Sequence, residues 1–151
     1  MTETYTTEER VALLTRLREQ LLTQRFRFEE YLEILEQQEA AISEKNVDKL
    51  NEYVELETRI ITDIAAVQRV VTPLSEVYRA VTPEPDPEIL ELNDSLSRLH
   101  EEASKHNKRN QELLHGQLDT LRLELDSVRS PKRARNVYSS RDTATLLDIT
   151  T

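Results

Sequence analysis

Apolar residues recur along the chain at alternating steps of three and four, the period of one face of a helix. The first such seam runs through Leu14, Leu17, Leu21, Gln24, Phe28, Tyr31, Leu35, Gln38 and Ile42. Seven of these nine positions are apolar, a heptad-type pattern that fits a helix and not the two-residue period of a strand. Leu13, Leu22, Leu32 and Ile34 flank the seam and widen it, which predicts more than one neighbouring helix. Thr6, with Glu9 three positions later, supplies a capping box: the hydroxyl accepts from an orphan amide and the carboxylate reaches back. The pattern predicts a first helix over about 7–42.

Residues 43–48, Ser-Glu-Lys-Asn-Val-Asp, predict a turn in which Ser43, Asn46 and Asp48 can each bond nearby backbone and cap the next helix. That second helix is expected at about 47–81. Its seam is Leu50, Tyr53, Glu57, Ile60, Ile64, Val67, Val71, Leu74, Tyr78 and Val81, with Glu57 the one polar member. Pro73 lies inside it, and a proline there removes a hydrogen bond and crowds the preceding turn. The register crosses Pro73 undisturbed, which favours a kink; the alternative is a fresh helix with Thr72 as its cap.

Thr82-Pro83-Glu84-Pro85-Asp86-Pro87 cannot be helical throughout and forms the sharpest boundary in the chain. Asp86 then caps a third helix that Pro87 opens, expected to run to about 129 and to end at Arg129, Ser130 and Pro131. Its seam is Ile89, Leu92, Leu96, Leu99 and Ala103, then His106, Asn107 and Asn110, then Leu114, Leu118, Leu121, Leu125 and Val128. The step from Leu114 to Leu118 is four where three is due, a stutter that predicts a change of neighbours near the middle of the helix. Asn107 and Asn110 admit two readings: buried asparagines that fix register in the bundle, or polar groups that face a partner helix.

Together these elements predict an all-α fold, an elongated antiparallel three-helix, coiled-coil-like bundle over residues 1–130, with a flexible C-terminal tail at 131–151. Composition agrees. One glycine in 151 residues leaves almost nothing for β-hairpin turns, and a charged fraction of 32% suits long exposed helices.

The net charge is −9, of which the last 21 residues contribute +2, so the first 130 carry −11. An acidic body argues against nucleic acid as the main partner, because phosphate binding needs a basic face. Lys132, Arg133 and Arg135 are a small basic cluster, better read as part of a solvated tail. The N-terminus is acidic and polar, unlike a signal peptide, and no apolar run reaches the length of a membrane span. A soluble, cytoplasmic protein without stable membrane insertion is expected.

Catalytic chemistry finds little footing. Without cysteine there is no thiol nucleophile and no zinc–thiolate site. His100, His106 and His115 are six and nine residues apart, so they point away from one another on a helix and do not converge on a metal. One glycine cannot build a phosphate-cradling loop. The expectation is no enzyme, no metal and no cofactor. The tail is less bland: Val137, Tyr138, Leu146, Leu147 and Ile149 form an apolar cluster that no regular seam covers, and such a segment often orders on binding.

The run Asn107-Lys108-Arg109-Asn110-Gln111-Glu112-Leu113-Leu114, the leucine seam after it, and a tail with Tyr138 and a short apolar end resemble the flagellar export chaperone FlgN family. The upstream half agrees, with two acidic helices joined by a short turn and Val-Asp-Lys-Leu-Asn-Glu-Tyr-Val-Glu-Leu-Glu opening the second. The resemblance covers roughly residues 10–150. One departure stands out: the family's tail typically has a glycine shortly after the tyrosine, whereas Ser139-Ser140-Arg141-Asp142 comes after Tyr138 here.

The resemblance implies a non-enzymatic chaperone of type III flagellar export. It would bind hook-associated proteins of the FlgK and FlgL type through their terminal helices and bring them to the export gate, the cytoplasmic domain of the FlhA type. The family's client-binding region is C-terminal, which implies Asn107, Asn110, Leu114, Leu118, Leu121 and Leu125 together with Tyr138, Leu146 and Leu147, the tyrosine being a gate contact. A monomer or weak self-association is expected. The competing reading is a structural coiled-coil adaptor, or another helical chaperone of the same apparatus, self-associating through the first two seams.

Overall fold

A computed structural model describes residues 4–133, with side chains as far as Arg129. The described residues form three helices, α1 (Thr7–Ser43), α2 (Val47–Val81) and α3 (Pro87–Arg133), and no strand. The chain divides into two compact units, one up to Gln111 and one from Glu112.

α1 begins as its capping box predicts. The Thr6 hydroxyl accepts from the Glu9 amide at 3.2 Å, and the Glu9 carboxylate accepts from the Thr6 amide at 2.8 Å. Its end is a reversal that also starts α2. Lys45 adopts the left-handed region at φ 57°, its amide donates to the Ile42 carbonyl, and the Asn46 amide donates to that of Ala41. These two bonds satisfy carbonyls that a helix terminus otherwise leaves orphaned. Of the three residues the sequence offers as caps, Asn46 takes the role, accepting from the Lys49 amide at 3.1 Å.

α2 passes through Pro73 as one helix, so the fresh start at Thr72 does not occur. The Thr72 hydroxyl donates instead to the Gln68 carbonyl one turn back, at 2.9 Å. The linker after α2 is tied to it: the Asp86 amide donates to the Tyr78 hydroxyl at 2.7 Å. Asp86 then accepts from the Glu88 amide at 2.9 Å, with Pro87 at the first helical position. α3 runs through Pro131 to Arg133, further than the expected stop at 129–131. Pro131 lacks the N–H that would bond the Ser127 carbonyl, so it costs the helix one backbone bond there.

Within the unit up to Gln111, cross-helix pairs give the topology. Gln24 meets Gln68, Arg27 meets Asp63 and Tyr31 meets Glu57, so α1 and α2 run antiparallel. Arg18 meets Glu88, Phe28 meets His100 and Leu35 meets Asn110, so α1 and the first half of α3 run parallel. The order is up, down, up. α1 lies between its two neighbours, as its wide stripe predicts, and buries Leu17, Leu21, Phe28, Tyr31 and Leu35. α2 has the cleaner apolar pattern yet buries only Val71 and Tyr78. The reason is geometric: a groove lined by Leu21, Phe28, Ile61, Ile64, Val71 and Leu96 runs between α2 and α3, and leaves much of the α2 seam half covered.

The polar exceptions in the α1 and α2 seams are paired. Buried Gln24 donates to the Gln68 side chain at 2.6 Å, and buried Gln38 donates to the Glu57 carboxylate, which also accepts from the Tyr31 hydroxyl at 3.1 Å. Burial first, then the negative charge of Glu57 and the bond donated to it, push the Tyr31 phenol pKa well above the usual tyrosine range.

Candidate functional site

The residues that the sequence and the resemblance single out on α3 fall into two groups with different surroundings. In the first, Asn110 is 3% exposed and donates from Nδ2 to the Leu35 carbonyl of α1 at 2.8 Å. It therefore takes the register reading: its amide is spent inside the unit, and it does not present a free polar face to another chain. Its Oδ1 is buried with no hydrogen-bond partner among the described residues. Asn107 is half-buried.

Around Asn110, α3 grips α1 through one carboxylate. His106 Nε2 lies 2.9 Å from Glu39 Oε2, and the Arg109 guanidinium pairs with Glu39 Oε1. Residues 106, 109 and 110 are three and four apart, so they share the helix face turned to α1. Sequence reasoning missed this contact for both His106 and Arg109. The signal was present in their spacing from Asn110, but Glu39 sits off the α1 seam and its partner is visible only once the two helices are aligned.

The second group lies in the unit that starts at Glu112. Leu114, Leu118, Leu121, Leu125 and Val128 have a regular four-three-four-three spacing, so they form one stripe along α3. All are exposed: Leu118 at 44%, Leu121 at 50% and Val128 at 74%. From Gln111 to Arg129 every residue except Gln117 is exposed. Single exposed leucines are ordinary, but five in register on one helical face are a contiguous apolar strip, and strips of that kind mark interaction surfaces. Gly116 sits on the opposite side of the helix from Leu114 and Leu121, and a Cβ there would meet nothing within 4 Å.

Tyr138, Leu146 and Leu147 lie outside the described residues. Among the described residues no group of three or more His, Cys, Asp or Glu side chains could hold a metal, and no helix is long and apolar enough to cross a membrane. His100 stacks edge-on against Phe28 with ring centroids 5.9 Å apart, His106 is engaged with Glu39, and His115 is exposed. The arrangement leaves an exposed apolar strip along α3 from Leu114 to Val128.

Residues 13–145 match the family model described as FlgN protein. An uncharacterized protein of Treponema pallidum (strain Nichols) is 31% identical over 140 residues, which is 93% of this chain and 90% of that one. No solved structure matches.

Proposed function

The chain belongs to the FlgN family of flagellar export chaperones, and on that premise we propose that it acts in the cytoplasm on hook-associated proteins of the FlgK and FlgL type. In this reading it holds their terminal helices before secretion and passes them to an export gate of the FlhA type. The observation that supports it most is the exposed stripe Leu114, Leu118, Leu121, Leu125 and Val128. An amphipathic client helix can lay its apolar face on such a stripe, anchored every three and four residues. Residues 1–130 serve as the scaffold, and 131–151, with Tyr138, Leu146 and Leu147, complete the partner-binding region.

The placement of Asn110 narrows the surface. Asn110 is committed to Leu35, so the client stripe starts at Leu114, and the asparagine helps hold α3 on α1. The seam of α1 is likewise consumed inside its own unit, which leaves little for an adaptor that self-associates through it.

Co-purification tests the proposal. A tagged full-length chain should retain the C-terminal segment of a hook-associated protein from the same organism. Deletion of 131–151 should weaken retention strongly while far-UV circular dichroism keeps nearly all of its helical signal. Retention that survives both this deletion and polar substitution of Leu118 and Leu121 contradicts the site assignment.

A further inference from the structure

The apolar strip on α3 has two unlike edges. Its five residues take the a and d positions of a heptad register, so Arg122 and Arg129 fall in line along one edge. Gln117 and Glu124 fall along the other. Arg122, Glu124 and Arg129 are all exposed, and the ion pairs at 4.0 Å or less among the described residues use none of them. Asp119 and Asp126 precede the two arginines by three residues, on the side turned away from the strip, and the arginine side chains stay exposed beside it.

Residues 1–130 carry a net charge of −11, so a basic edge on the strip runs against the charge of the body. An arginine in that position can lay its aliphatic stem along apolar surface and offer its guanidinium to a neighbour. The planar head matches a carboxylate better than any other side chain does. A helix laid on the strip brings one flank against Arg122 and Arg129 and the other against Gln117 and Glu124. Lysines on the first flank would set like charges together, whereas carboxylates there would be paired.

Resting on the client reading above, we propose that the strip selects a partner helix with one acidic flank. Its carboxylates recur about every seven residues and meet Arg122 and Arg129, and its other flank is neutral or basic beside Glu124. The asymmetry also sets direction. Turning a helix end for end exchanges its flanks, so a helix acidic on one side matches α3 in only one of the two directions.

Fluorescence anisotropy of labelled synthetic peptides, titrated with the full-length chain, tests this. The peptides share leucine at a and d and glutamine on one flank; the other flank carries glutamate, glutamine or lysine. The wild type should bind the glutamate peptide about fivefold more tightly than the lysine peptide, which can turn round only to reach the single carboxylate of Glu124. R122Q/R129Q should remove the glutamate peptide's advantage, and R122E/R129E should invert the order. Both positions are exposed, so circular dichroism of the variants should match the wild type. Equal affinity of the wild type for all three peptides, or an order that R122E/R129E leaves unchanged, would overturn the acidic-flank partner while leaving the strip as a helix site. Binding of none of the three would contradict the client surface itself and overturn this proposal with it.

Discussion

Asn110 and Tyr31 show how a polar residue in an apolar seam is held. Asn110 donates to the Leu35 carbonyl, which keeps its own helical bond, so nothing on α1 depends on the asparagine for satisfaction. Asn110→Leu should therefore change unfolding free energy by less than about 1 kcal/mol in urea titrations. Asn110→Asp buries a carboxylate against a carbonyl and should cost about 3 kcal/mol.

Tyr31 makes a different demand. Its folded pKa is raised, so both folded and unfolded chains hold the phenol proton below about pH 10 and the residue adds no pH dependence there. As pH rises past that value the unfolded chain ionises first, and stability falls. Tyr31→Phe should flatten the alkaline limb of a thermal-denaturation series while leaving the neutral region's slope unchanged; an equally steep limb would contradict the buried phenol–Glu57 contact.

At the scale of the elements, the helices were readable because each carried its own start signal. The Thr6–Glu9 box, Asn46, and the Asp86–Pro87 pair all cap as their residue types predict. Pro73 lies inside α2 as the undisturbed register across it predicts, whereas the stop expected for α3 at Pro131 does not occur. At Pro73 the one lost bond is outweighed by the apolar register that continues on either side. The cleanest seam was also not the most buried one. Period reveals which face is apolar, whereas burial depends on how many neighbours that face meets, and α1 has two where α2 is left half open to a groove.

α3 holds the one glycine of the chain at a point where a side chain would touch nothing. Gly116→Ala should raise helical stability by about 0.8–1.0 kcal/mol, seen as a higher melting temperature by far-UV circular dichroism. No gain there would mean that 116 needs the freedom of glycine for a reason absent from its surroundings.

For the molecule as a whole, the sequence carried the helix order and the position of the apolar stripe, because both are periodic. The stutter after Leu114 marked a change of neighbours, but the sequence left Asn107 and Asn110 between two readings; in the structure Asn110 is buried on α1 and Leu114 is exposed. Only the cross-helix partner separates a register asparagine from a partner-facing one, and Leu35 contributes that partner through its backbone, which leaves no trace in its side-chain identity. The family follows from the match over residues 13–145, and the client surface is an inference from exposure and spacing. On that inference the scaffold and the binding end are separable: removing 131–151 should leave the cooperative unfolding of residues 1–130 intact, by urea titration, while client affinity falls.

The most direct test of the client surface is a titration of a labelled terminal segment of a hook-associated protein against the wild type and against Leu118→Ser/Leu121→Ser. Each leucine that docks should contribute about 1.5 kcal/mol or more through buried apolar area, so the double variant should lose about a hundredfold in affinity with an unchanged circular dichroism spectrum. Equal affinity for the wild type and the double variant would contradict the client surface.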